Sequence, residues 1–260
     1  MDRLVAPEYF STWKSLLEVD LGAAFAEIKK ITLSRYSFTH FTSVSVISSS
    51  KIEAEQMEVE HYVMYKMLDV EYPSALTEKP DDLYEAYLFA KNNRLTKANS
   101  HKAHRLVTAH LSAELERGGL RNAGRVLMKY KAGETQCETE DQLVADMDYE
   151  KFWNELDGLL SRELTVDETF YYAAFIHLVF VNIHPFVDGN CRMARLLEKW
   201  FLKEKLGERA WYIPSEKYYY KHIDSYYRNL SKLGIFYEKL DYARSIPFLL
   251  MLPQALIVKP

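Results

Sequence analysis

Ile183-His184-Pro185-Phe186-Val187-Asp188-Gly189-Asn190-Cys191-Arg192-Met193-Ala194-Arg195 decides how the rest of the chain is read. Apolar helical sequence runs into it and out of it. Upstream, Thr165-Val166-Asp167-Glu168 has the form of a capping box, with Thr at the N-cap and Glu three residues on. Phe170, Ala173, Ala174, His177, Phe180 and Val181 then recur at helical spacing. Pro185 disfavours the α region at His184, so this pattern predicts a helix that stops near Ile183. Gly189-Asn190 supplies a turn that tolerates positive φ. A second helix starts about there, with Leu196, Leu197, Trp200 and Phe201 on its buried face.

The loop between the two helices carries chemistry. The amides of Asn190, Cys191 and Arg192 are free donors of a helix's first turn, which is an anion site by unpaired N–H groups and the positive end of the dipole. Arg192 and Arg195 are three apart and share a face, and arginine grips phosphate as a planar fork. Asp188 offers hard oxygen to a divalent cation. His184 is a general base. Singly, His-Pro is a common helix stop, Asp-Gly a common turn and an arginine pair often a solvated face. In this order they are the base, metal carboxylate, amide cradle and cationic clamp of phosphoryl or nucleotidyl transfer.

The same run closely resembles the Fic motif, His-Pro-Phe-x-Asp/Glu-Gly-Asn-Gly-Arg-x-x-Arg. One fixed position departs: Cys191 stands where the family has its second glycine. The resemblance implies a mainly helical, all-α Fic fold with a small β-hairpin flap. It implies a protein adenylyltransferase that moves AMP from ATP to a Ser, Thr or Tyr hydroxyl, with Mg²⁺. By resemblance His184 is the catalytic base, Asp188 holds Mg²⁺, Gly189, Asn190 and the Cys191 amide line the anion hole, and Arg192 and Arg195 clamp the outer phosphates.

A second motif lies upstream at Ser49-Ser50-Lys51-Ile52-Glu53-Ala54. Read from the residues, Ser50 and Glu53 fit a capping box opening a helix over about 50–62, with its glutamates on a solvated face where negative charge is favoured. Many Fic proteins carry an inhibitory helix with Ser/Thr-x-x-x-Glu-Gly/Asn. Ser49 and Glu53 match it, and Ala54 replaces the usual Gly or Asn. The resemblance implies that Glu53 pairs with Arg195 in place of the ATP γ-phosphate, a brake in cis.

Cys191 opens other readings. A thiol at a helix N-terminus beside arginines is expected to have a depressed pKa. Cys191 and His184 then form a nucleophile–base pair of a hydrolase or thiol sensor, which leaves the arginines, Asp188 and Glu53 without a role. Fic-type folds also transfer other phosphate-containing groups or remove AMP. A fold that only holds nucleotide, impaired by Cys191, is a third reading.

Composition bounds the rest. At 260 residues and 48% hydrophobic the chain suits one sizeable core, and few glycines among many Leu, Ala, Glu and Lys favour helix. The division expected is one Fic-like domain over 1–260, with an N-terminal helical region 1–95, a core 96–206 and C-terminal helices 207–260. A net charge of −4 gives no nucleic-acid footprint. Two cysteines make no disulfide framework, no apolar run reaches spanning length, and the start has no signal-peptide core, so a reducing, cytoplasmic setting away from membranes is expected.

In chain order, 8–35 reads as helical and 35–50 as an irregular or short-strand connection. Residues 61–92 read as helical, broken at Pro73 and Pro80, and Thr96 opens a helix to about Leu115. Its His101, His104 and His110 have no third ligand type nearby for zinc. Gly124 and Gly133 flank an apolar run that predicts a β-hairpin over about 121–138, and the resemblance makes it the flap on which an unidentified target protein docks as an added strand. Residues 149–160 form another amphipathic helix, and Pro214-Ser215 starts one rich in tyrosine. The apolar tail from Ser245 packs on the body or on a second copy, which would make a homodimer.

Overall fold

The chain is described by a computed structural model over residues 5–122, 127–129, 136–138 and 142–257. Its helices are α1 (Phe10–Ser15), α2 (Leu21–Ile28), α3 (Arg35–Ile52), α4 (Val59–Leu68), α5 (Ser74–Asn92), α6 (Lys97–Val107) and α7 (Gln142–Ser161). They continue as α8 (Val166–Ile183), α9 (Asn190–Leu206), α10 (Ser215–Lys221), α11 (Ile223–Ser231), α12 (Ile246–Leu249) and α13 (Met251–Gln254).

Side-chain caps account for several starts. Asp20, Ser34 and Thr96 each accept an amide three residues on. Thr165 and Glu168 close the full reciprocal capping box that their spacing predicts. From Thr169 to Ile183 every residue of α8 is buried, as suits a helix that is apolar all round. α9 lies against α8 and buries Leu196, Leu197, Trp200 and Phe201. It ends at Gly207, which takes the positive φ of 85° that an L residue avoids. The apolar tail, as α12 and α13, packs back on α8 and α10.

Four expectations upstream are corrected. Residues 35–50 are neither irregular nor strand but lie inside α3, where Thr42, Ser43, Ser45, Ser48, Ser49 and Ser50 are buried. Small hydroxyl side chains bury without bulk and can turn back on the helix, as Ser43 Oγ does to the Thr39 carbonyl at 2.7 Å. Ser50 and Glu53 make no capping box, because Ser50 lies in the last turn of α3 and Glu53 is its C-cap; the helix expected over 50–62 is the end of α3, a turn, and the start of α4. α5 runs through Pro80, and the helix after Thr96 stops at Val107 rather than near Leu115.

The expected hairpin flap is also corrected. The described residues are almost wholly helical, and strand pairing is confined to Leu127–Lys129 against Gln136–Glu138, antiparallel, with Met128 opposite Cys137. The rest of 123–141 lies outside the described residues. The start of the segment turns elsewhere: the Arg121 amide donates to the Pro185 carbonyl at 2.8 Å, and Leu120 bridges to Phe186. Three paired residues a side fall short of a presenting edge, since even a full two-stranded hairpin is marginal in water. Over the described residues the fold class is all-α, without the flap. Among the described residues no helix is long and apolar enough to cross a membrane.

Candidate active site

Three helix ends meet at the motif: the C-termini of α8 and α3, and the N-terminus of α9. His184 is the C-cap of α8, in the left-handed region at φ 50° and ψ 58°. Histidine tolerates that region better than most residues, and Pro185 bars a further helical turn. The imidazole Nδ1 is buried and closes no hydrogen bond of ordinary geometry among the described residues. Burial, then the Arg121 charge, lowers the His184 pKa to about 4, against the pull of the Val181 carbonyl and Glu53. The ring is therefore neutral at pH 7.

Two residues to which the sequence assigned no part in this loop hold it. Arg121 is buried and donates from Nε to the His184 carbonyl at 3.0 Å. His104, on α6, accepts the Gly118 amide at Nδ1 (2.9 Å) and so carries its proton on Nε2, which donates to the Asp188 carbonyl at 2.9 Å. Burial first lowers its pKa to about 4, which keeps it in that neutral tautomer. The ring stacks on Phe186 at 3.7 Å between centroids. His101 bonds the Gly118 carbonyl and the Tyr149 hydroxyl, and His110 bonds Asp82, so the three histidines of this stretch are structural. Spacing on one helix gave no sign of these partners, which come from 14 to 84 residues away.

Gly189 is required twice over. Its φ is 73°, and a Cβ there would sit 2.9 Å from Thr108 Cγ2. Asn190 uses its side chain inward, accepting the Phe186 amide at 2.9 Å and donating to the Phe186 carbonyl at 2.8 Å. It staples the loop, leaving only its amide for an anion. No side chain caps the start of α9. Asp188 is exposed and accepts the Gly189 amide at 2.6 Å through Oδ1.

Cys191 is the second residue of α9 and is not among the residues with positive φ, so the missing glycine costs no backbone strain. The depressed thiol pKa expected there is corrected. Burial pushes Cys191 up to about 12, with Glu53 adding to it, and Arg195 and Arg192 do not offset this. A neutral thiol argues against the nucleophile–base reading.

The arginines do not sit on a solvated face. Arg195 is fully buried. Its Nε donates to Ser49 Oγ at 2.7 Å, and its terminal nitrogens reach the Ser49 carbonyl at 3.1 Å, Glu53 Oε1 at 2.7 Å and the Tyr226 hydroxyl at 3.3 Å. Tyr226 in turn meets His177 at 3.0 Å, and His177 meets Glu198 at 2.8 Å. Arg192 is 5% exposed and donates to Glu55 Oε1 at 3.0 Å.

Glu53 and Glu55 arrive through one device. The Glu55 amide bonds the Ser50 carbonyl and the Ala54 amide bonds the Lys51 carbonyl, which is a Schellman ending for α3. Ala54 occupies its left-handed position at φ 67°, where glycine is usual. The Tyr227 hydroxyl holds the Ile52 carbonyl at 2.9 Å, and Lys51 ties across to Glu58 at 2.7 Å. Carboxylates at a helix C-terminus oppose its dipole, so these two depend on cations brought by another element. Sequence alone carried no sign of this for Glu55, because the same glutamates read as favourable charges at a helix start.

Among the described residues no group of three or more His, Cys, Asp or Glu forms a metal cage. Asp188 offers a single carboxylate at the mouth of the loop, a donor set that suits Mg²⁺, which keeps waters and takes phosphate oxygens.

With this geometry in hand the relatives are informative. Residues 94–202 match the Fic/DOC family. Its fold is similar to a Fic family protein from Desulfovibrio desulfuricans, at TM-score 0.71 and 20% identity over 91% of this chain and 70% of that one. It is similar to a Fic domain containing signaling protein from Bacteroides thetaiotaomicron, at TM-score 0.63 and 18% identity over 98% and 94%. A variant of Fic-1 from C. elegans gives TM-score 0.60 and 16% identity over 91% and 68%. At these identities the likeness is one of fold. No curated protein matches the sequence.

Proposed function

We propose that the protein is an adenylyltransferase that moves AMP from ATP to a Ser, Thr or Tyr hydroxyl of a target protein, and that Glu53 holds it off. One observation carries this: the buried Arg195 spends its fork on Glu53 and Ser49, beside the uncapped start of α9. A carboxylate on that guanidinium competes with a phosphate for the same donors.

Once Glu53 withdraws, the amides of Asn190, Cys191 and Arg192 face the α-phosphate and stabilise the charge that develops there. His184 takes the proton of the target hydroxyl as its oxygen bonds to the α-phosphorus. The bond from that phosphorus to the bridging oxygen breaks, and pyrophosphate leaves with the electron pair. Arg192 and Arg195 hold its oxygens. At a pKa near 4 His184 is neutral but a weak base, and the arriving polyanion raises its proton affinity. Asp188 would hold Mg²⁺, which when bound offsets the negative charge of the phosphates.

The test is labelled ATP with wild type, Glu53→Gly, and Glu53→Gly combined with His184→Ala. Label on Glu53→Gly rises about tenfold or more, the equivalent of one lost charge-assisted contact, and the second substitution removes it. Equal labelling of wild type and Glu53→Gly overturns the brake. Calorimetric binding of ATP without any transfer assigns a nucleotide-holding module instead, and transfer restored by Cys191→Gly would trace that loss to the sulfur.

A further inference from the structure

We infer that Lys79 joins Arg192, already a phosphate clamp in the proposed function, in one outer-phosphate subsite, and that Glu55 is a second internal carboxylate occupying it. The inference rests on the adenylyltransferase reading of the same site. Arg192 donates to Glu55 Oε1 at 3.0 Å, and Lys79 Nζ, from α5, lies 3.3 Å from the same oxygen. Two cations thus share one carboxylate, which leaves the cluster one charge short of neutral. A phosphate group with two negative charges matches it better.

Arg192 supplies the second observation. Its guanidinium is buried, yet Nε has no hydrogen-bond partner among the described residues. A buried, unpaired charged donor is expensive. Glu55 satisfies one terminal nitrogen and leaves Nε idle, whereas a phosphate engages a guanidinium bidentately through two oxygens and has a third for Lys79. Glu55 is also coupled to Glu53 by construction, because both are placed by the Schellman turn around Ala54. Releasing that turn empties both arginines together.

The experiment is calorimetric titration of Glu53→Gln, Glu53→Gln with Glu55→Gln, and that pair with Lys79→Ala. Each is titrated with ATP·Mg²⁺, inorganic pyrophosphate and AMP. Adding Glu55→Gln tightens ATP and pyrophosphate about tenfold and leaves AMP unchanged, and Lys79→Ala reverses that gain, as for one charge-assisted contact each. Glu55→Ala in place of Glu55→Gln moves binding in the same direction. If Glu53→Gln binds ATP but the further substitutions change nothing, or shift AMP as much as pyrophosphate, the subsite is overturned and the adenylyltransferase reading stands. If no variant binds ATP or pyrophosphate, both fall.

Discussion

α8 and α3 are each 18 residues long and are both deeply buried, yet they are built from opposite materials. α8 is filled with Phe, Ile, Leu and Val and buries by displacing water from large apolar surfaces. α3 buries six serines and threonines, with Phe38, Val46, Ile47 and Ile52 as its buried apolar anchors. Its small side chains let α4, α5 and α10 come close, and its exit is positioned by polar contacts rather than by bulk. The two helices end at the same place, one delivering His184 and the other Glu53 and Glu55. On the proposed function, the helix filled with bulk fixes the base, and the helix closed by hydrogen bonds and ion pairs ends in carboxylates that another anion displaces.

Four measurements press on this contrast. Phe180→Ala opens a cavity in α8 and costs about 3–5 kcal/mol in urea unfolding, a large share of the ~5–15 kcal/mol of an ordinary domain. A loss below ~1 kcal/mol would mean that α8 is not the structural stem. Acid comes next. His104 and His184 have folded pKa values near 4 against an ordinary 6.5, so the unfolded chain takes protons first as pH falls. Stability is whole above about 6.5 and declines from there toward 4, by on the order of 1–2 kcal/mol per histidine between pH 7 and 5. His104→Gln removes part of that slope, and an unchanged slope would mean that His104 is already open to water.

On the α3 side, Ser48 is fully buried and its hydroxyl has no partner among the described residues. Ser48→Leu overpacks the close approach and costs about 1–3 kcal/mol, while Ser48→Ala is neutral or mildly stabilising. The reverse order of those two would show that α3 has slack around it. The smallest effect is the most informative about the proposed brake. Ala54→Gly relieves the left-handed alanine and stabilises the closed turn by about 1 kcal/mol, seen in thermal unfolding, and lowers basal labelling with ATP. Higher labelling in that variant would mean that strain at Ala54 does not bias the turn toward release.

The difference between the helices also explains what was readable. α8, its capping box, its stop at Ile183 and the start of α9 follow from strong local patterns, apolar periodicity and Pro-Gly punctuation, and all were expected where they stand. α3 was misread because a serine-rich helix carries weak periodicity and few strong helix formers, and only neighbours at close range decide its state. The Ser50–Glu53 box failed for the same reason: the local pattern fits a helix start, but the turn belongs to a helix end. The segment over 121–138 looked like a hairpin by composition, whereas its first residues were claimed by Pro185 and Phe186.

By itself the sequence determined the order of chemical groups along the motif, His184, Asp188, the Gly189-Asn190 turn and the two arginines, because each is set by backbone preference within a few residues. It also marked Ser49 and Glu53 through their resemblance to an inhibitory motif. Only the tertiary structure decided which groups face one another: Arg121 and His104 on the loop carbonyls, Glu55 between Arg192 and Lys79, and a Cys191 thiol whose pKa burial raises. Desolvation and ion pairing act through space between residues far apart in the chain, and no local pattern records them.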